Sequence, residues 1–131
     1  MVDSLDIGKK LKVVMIGAGG RANSVIYPSV AALDGVEMAG ICDIDEERCN
    51  ATADRYGVAK RYHESVTDYR RMIEEIRPDA VFAVGQPDIF FEIWTWCLEH
   101  GLNLYIEKPM GLTIHQARTL AWLAEKHECI T

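Results

Sequence analysis

No stretch of this 131-residue chain approaches the ~18 consecutive apolar residues that a membrane-spanning helix needs. The amino end reads MVDSLDIGKK and has no apolar core of the kind a secretory signal carries. A membrane partner is therefore not expected, and cytoplasmic residence is. Positive charge is scarce: 14 Lys and Arg against 20 Asp and Glu leave a net charge of −6. A sequence-independent grip on nucleic acid is excluded on that balance. Cys42, Cys49, Cys97 and Cys129 form no C-x-x-C pair and read as reduced thiols. His63, His100, His115 and His127 lack metal-ligand spacing. His127-Glu128-Cys129 are adjacent at a helix end, where three side chains rarely converge, so no metal site is expected. There is no internal repeat, low-complexity tract, long linker, or Ser-His-Asp or Cys-His context. What remains is 49% apolar and 26% charged, the composition and length of one globular domain.

Leu11 to Ala22, LKVVMIGAGGRA, organises the chain. Leu11, Val13, Val14, Met15 and Ile16 make a short apolar run, interrupted only by Lys12, that suits a strand buried on both faces. Gly17, Gly19 and Ala22 then give G-x-G-x-x-A ahead of a helical segment. The first glycine permits a tight turn, and the second lets backbone approach a pyrophosphate. The small third residue lets the helix pack on its strand. Free N–H groups and the dipole at the helix start attract a phosphate. Glycines that merely make a turn in some other βα unit would leave the same pattern, so context decides.

That context is a regular alternation. Residues 1–10 are a loose lead-in. A first helix is expected from Arg21 to Leu33, kinked or shortened at Pro28, and the Asp34-Gly35 turn ends it. Val36 to Cys42 is a second strand. Asp45 caps a helix from Glu46 to Tyr56 that stops at Gly57. Arg61-Tyr62 makes a short third strand, and Thr67 caps a helix from Asp68 to Ile76. Ala80 to Val84 is a fourth strand, Gly85-Gln86-Pro87-Asp88 a loop, and Ile89 to His100 an aromatic-rich helix. Asn103 to Ile106 is a fifth strand. Thr113 and Gln116 form a capping box for a helix to about His127, with Ile114, Ala117, Leu120, Ala121 and Ala124 on one face. Cys129-Ile130-Thr131 reads as the opening of another strand. Trp94, Trp96 and Trp122 fall on helices and suit packing better than stacking on a ligand. Arg70, Arg71, Glu74 and Glu75 make a solvated, paired face.

The fold class is therefore α/β, a doubly wound parallel sheet of order 3-2-1-4-5 with a crevice beside strands one and four. Gly17, Asp43, Gly85 and Lys108 all follow strands and should share that rim. Asp43 stands 26 positions after Gly17, where a carboxylate accepts hydrogen bonds from ribose hydroxyls and repels a 2′-phosphate. Ile44 after it offers no compensating cation, which favours NAD over NADP. A helix-capping Asp would look alike, with Asp45 a rival for that task. In Glu107-Lys108-Pro109 the proline removes a donor and holds Lys108 extended at a strand end, with the Lys-Pro bond open to cis or trans. A lysine beside an oxidised nicotinamide loses its proton more readily, which suits proton transfer during hydride removal from an alcohol. A solvated Glu-Lys pair is the plainer reading.

GAGGRA after strand one, CDID at the end of strand two and EKP after strand five together resemble the Gfo/Idh/MocA oxidoreductases, the glucose–fructose oxidoreductase and inositol dehydrogenase group. The likeness runs from Leu11 to Thr131. It implies an NAD(P)-dependent dehydrogenase acting on sugars, polyols or related small molecules, with Lys108 as the catalytic residue of this domain. It implies cofactor contacts at Gly17, Gly19, Gly20, Asp43 and Lys108; Arg21, Ile44, Gly85, Glu107 and Pro109 are further candidates beside them, and Gln86 is one by position only. Members of the group often carry Thr-Pro and then His after strand four, where this chain has Gly85-Gln86 and then Phe90. Members are also much longer, with a second α/β domain that holds substrate contacts and a catalytic Asp and His. Residues 1–131 are thus expected to be a Rossmann domain that binds NAD without turnover, and a homo-oligomer is expected, through the edge near Asn103 to Ile106 or the carboxyl end. A non-catalytic nucleotide-binding regulatory or scaffolding module is the alternative, and a methyltransferase is disfavoured by EKP.

Overall fold

Apolar strand runs separated by capped helical segments dictate a parallel sheet, because each right-handed crossover returns the chain in the same direction. The structure, a computed structural model, describes residues 9–131. Residues 1–8 of the expected lead-in lie outside the described residues. The strands are β1 (Leu11–Ile16), β2 (Val36–Cys42), β3 (Arg61–Tyr62), β4 (Ala80–Ala83) and β5 (Asn103–Ile106). They lie in the order β3-β2-β1-β4-β5, and every pairing is parallel. The helices are α1 (Tyr27–Ala31), α2 (Glu46–Tyr56), α3 (Asp68–Ile76), α4 (Pro87–Glu99) and α5 (Ile114–Lys126).

Side-chain alternation along β1 sends Val13 and Met15 to one face and Val14 and Ile16 to the other. The first pair packs with Tyr27 and Val30 of α1 and Cys49 and Ala53 of α2. The second packs with Met72 and Ile76 of α3, Trp94 and Leu98 of α4, and Leu120 and Leu123 of α5. Covered on both sides, a strand gains by being apolar throughout, which is why β1 reads as a run rather than as an alternation. Trp94 is fully buried and its indole N–H donates to the Ala83 carbonyl at 2.9 Å, pinning α4 under the end of β4.

Local chemistry accounts for the departures from the sequence reading. The first helix opens as a π turn over Ala22–Ile26, in which the Tyr27 N–H reaches the Ala22 carbonyl five residues back. Pro28 has no N–H for the Ser24 carbonyl, and the widened turn accommodates that loss. The helix then ends at Ala31. α4 starts at Pro87 rather than Ile89, since proline carries the φ of a first helical turn. Asp45 and Thr113 cap their helices as expected, accepting the N–H of Arg48 and of Gln116. Gln116 Oε1 accepts the Leu112 N–H. Thr67 makes no side-chain cap, and the neighbouring Asp68 carboxylate takes the Glu64 N–H instead. The Lys108-Pro109 bond is cis. Residues 129–131 are not a regular strand. Ile130 nevertheless lies along β5, accepting the Leu104 N–H and donating to Asn103 Oδ1.

Candidate dinucleotide-binding site

Parallel strands bring all their carboxyl ends to one rim, and the loops that follow them enclose a crevice of about 720 Å³, ample for a small-molecule ligand. Two glycines fix its floor. Gly17 has φ +99°, and a Cβ there would strike the Val84 carbonyl oxygen. Its own carbonyl accepts the Tyr27 hydroxyl at 2.8 Å, and its N–H donates to the Cys42 carbonyl at 2.8 Å. At Gly85 a Cβ would run into the Phe90 ring. Phe90 thus seats against both turns. Gly19 and Gly20 differ from both: no atom lies within 4 Å of where their Cβ would be. Their backbone therefore borders open space on the crevice, as a phosphate cradle requires.

Asp43 is 7% exposed. Its Oδ2 accepts the Ala18 N–H at 2.7 Å, and its Oδ1 accepts the Asp45 N–H at 2.8 Å and Arg48 Nη2 at 3.2 Å. The carboxylate thus joins β2 to the phosphate loop and keeps lone-pair capacity on Oδ2. Across the crevice, Arg21 Nε donates to Glu107 Oε2 at 2.9 Å, and the Tyr105 hydroxyl donates to Glu107 Oε1 at 3.2 Å. The Arg21 guanidinium holds the Glu107 carboxyl below the usual carboxylate range, with Tyr105 and Lys108 adding to the effect.

Of the contact residues expected from sequence, Gly17, Gly19, Gly20, Arg21, Asp43, Ile44, Gly85, Gln86, Glu107 and Lys108 all line this one crevice. Pro109 does not; it is exposed beyond the rim. The cation that the sequence reading found missing beside Asp43 is present as Arg48. The signal lay in the cap: Asp45 starts α2, so the residue three further on turns back toward the end of β2. Ser65, Val66, Tyr69, Ile89 and Ile93 also line the crevice; scattered over loops and helices, they carry no motif. Burial pushes the Cys42 thiol up to about 12, which disfavours the thiolate. Among the described residues no group of His, Cys, Asp and Glu is placed to hold a metal. No helix among them is long and apolar enough to cross a membrane.

Fold and rim together define a doubly wound domain with an open glycine loop and a buried acidic residue at the end of β2, the pattern of dinucleotide binders. Residues 11–131 match the family model described as the oxidoreductase family with an NAD-binding Rossmann fold, and the chain belongs to this Gfo/Idh/MocA family. Glycosyl hydrolase family 109 protein 2 of Akkermansia muciniphila is 28% identical over 123 residues, covering 88% of this chain and 25% of that protein. D-glucoside 3-dehydrogenase of Escherichia coli is 29% identical over 116 residues, covering 88% of this chain and 32% of that protein. The crystal structure of myo-inositol 2-dehydrogenase from Lactobacillus plantarum superposes with a TM-score of 0.79 at 27% identity, covering 91% of this chain and 34% of that one. The chain thus spans roughly a quarter to a third of the length of these relatives.

Proposed function

We propose that residues 1–131 form the cofactor-binding domain of a longer dehydrogenase that acts on a sugar, polyol or derivative, with NAD preferred to NADP. One observation carries this reading: Gly19 and Gly20, Asp43 and Lys108, from three different strand ends, line a single crevice. Gly19 and Gly20 offer main-chain N–H groups to a diphosphate. Asp43 Oδ2 takes a ribose hydroxyl beside the Ala18 N–H it already accepts. A bound nicotinamide dinucleotide would supply the hydride acceptor. Lys108, exposed at the end of β5, receives the proton that a substrate hydroxyl gives up as its carbon is oxidised. Ile44, Gly85 and Gln86 complete the walls.

The carbohydrate-related names of the relatives, a glucoside and an inositol dehydrogenase among them, support the substrate class. Substrate contacts are assigned to a second domain of the longer protein, so this chain binds cofactor without turnover in the cytoplasm. Self-association is expected through the part of the β5 edge that Ile130 does not pair with, or through the carboxyl end. Calorimetric titration of the purified chain with NADH tests the reading. Binding at micromolar to submillimolar NADH is the expected result, and a folded chain that ignores millimolar NADH overturns it. In the longer protein, Lys108→Met should abolish sugar-dependent NADH formation while changing NADH affinity far less.

The glycosyl hydrolase names of two relatives favour a second reading, in which the longer protein cleaves a glycosidic bond. Release of nitrophenol from nitrophenyl glycosides by the longer protein, without net NADH formation, would select it.

A further inference from the structure

Resting on the cofactor-binding reading, we infer that Glu107 is a positioning residue for Arg21, and that Arg21, so held, grips the diphosphate of the bound dinucleotide. The two residues are far apart in sequence. One begins the helix after the phosphate loop, and the other ends β5 beside Lys108. They meet across the mouth of the crevice at 2.9 Å, and both line it.

The division of atoms supports a holding role. A guanidinium carries five N–H donors in a rigid fork. Glu107 takes Nε alone, and no other protein acceptor bonds the remaining donors among the described residues. An arginine tethered by Nε keeps both terminal nitrogens for a second, bidentate acceptor, and phosphate oxygens are such an acceptor. Gly19 and Gly20, whose backbone borders open space, precede Arg21 directly. A diphosphate resting on them lies within a side chain's reach of that guanidinium.

Glu107 is itself braced. The Tyr105 hydroxyl donates to Oε1 at 3.2 Å, and the Tyr105 ring stacks on Phe82 of β4 at 5.1 Å between centroids. Phe82, Tyr105, Glu107 and Arg21 thus form a chain of contacts from the sheet to the phosphate loop. Folding stability does not explain such an arrangement. The Arg21 side chain is 60% exposed, and ion pairs that open to water contribute little to stability. A pair with little structural value, placed across a ligand crevice, is best accounted for by the ligand. The same contact fixes the chain next to Lys108, so it relates the diphosphate end of the crevice to the residue assigned to proton transfer.

Calorimetric titrations of the purified chain with ADP-ribose and with adenosine test this, with thermal melting as the control for folding. Arg21→Met should weaken ADP-ribose about tenfold or more, by the size of a lost charge-assisted hydrogen bond, and leave adenosine unchanged. Glu107→Ala should reproduce most of that loss, with adenosine affinity and melting temperature unmoved, and the double variant should bind no worse than Arg21→Met. Glu107→Gln, which keeps an acceptor oxygen, should recover part of the affinity; it also carries the test by the same criteria if the alanine variant does not fold. The inference is overturned if Glu107→Ala binds ADP-ribose as well as or better than the unaltered chain, or if its loss adds in full to that of Arg21→Met. An unaltered chain that binds neither ADP-ribose nor NADH overturns the cofactor reading along with it. One that binds both, with variants that change nothing, overturns the roles of Arg21 and Glu107 and leaves the cofactor reading standing.

Discussion

Asp43 Oδ2 accepts the Ala18 N–H at 2.7 Å, so the acidic residue at the end of β2 and the second residue of the phosphate loop are one unit. The carboxylate assigned to the ribose also sets the loop assigned to the diphosphate. Damage to one must reach the other.

Asp43→Ala should therefore do two things at once. It leaves the Ala18 N–H without its buried acceptor, which costs about 1–3 kcal/mol of stability, read by urea denaturation. It should also weaken NADH much more than NADPH, because the ribose acceptor is lost and the charge opposing a 2′-phosphate goes with it. Arg48→Met should act in the opposite sense, lowering NADPH affinity and sparing NADH, because Arg48 partly neutralises Asp43. Equal losses for both cofactors in both variants would reduce the pair to a structural one.

Two glycines two residues apart should separate folding from binding. Gly17→Ala forces a side chain into φ +99° and against the Val84 carbonyl, which should cost roughly 2 kcal/mol or more. Gly19→Ala meets no atom within 4 Å, so its melting temperature should stay close to that of the parent. Its methyl group would occupy the space assigned to phosphate, so NADH binding should fall at least tenfold. Melting and titration of the two variants side by side check this.

Acid sensitivity should trace in part to Asp68. The Arg71 guanidinium holds its carboxyl below the usual range, helped by the Glu64 N–H and by His63. A carboxylate whose folded pKa is depressed contributes stability above its unfolded pKa and loses it as pH falls through the folded value. The stability gap between the parent chain and Asp68→Asn should be fully open at neutral pH. It should close as pH drops below the ordinary carboxylate value of about 4. Urea denaturation at a series of pH values measures the gap, and a gap independent of pH would contradict the assignment.

Much of this architecture was legible because it rests on local signals. Asp45 and Thr113 announce their helices through side-chain oxygens that reach only three residues along the chain. Strand order followed from the alternation of elements, and GAGGRA, CDID and EKP marked the rim. What escaped notice depends on residues distant in sequence. Arg21 meets Glu107 only after four crossovers have closed, and Phe90 is fitted to Gly17 and Gly85 by packing that no spacing encodes. The π turn at Ala22–Ile26 was signalled by Pro28 as a defect, but not how the backbone would absorb it. Arg48 reaches Asp43 around the first turn of α2, a route that the residues following β2 in sequence do not show.

Trp94, fixed beneath the Ala83 carbonyl, has its ring 6.3 Å from that of Phe90, which borders the crevice. Its emission overlaps the absorption of reduced nicotinamide. The fold thus carries its own optical reporter, shielded from water and one aromatic ring away from the crevice proposed to hold the cofactor. In a chain with Trp96 and Trp122 replaced by Phe, quenching of that indole, with sensitised emission from the ligand, would follow occupancy in real time without any added label.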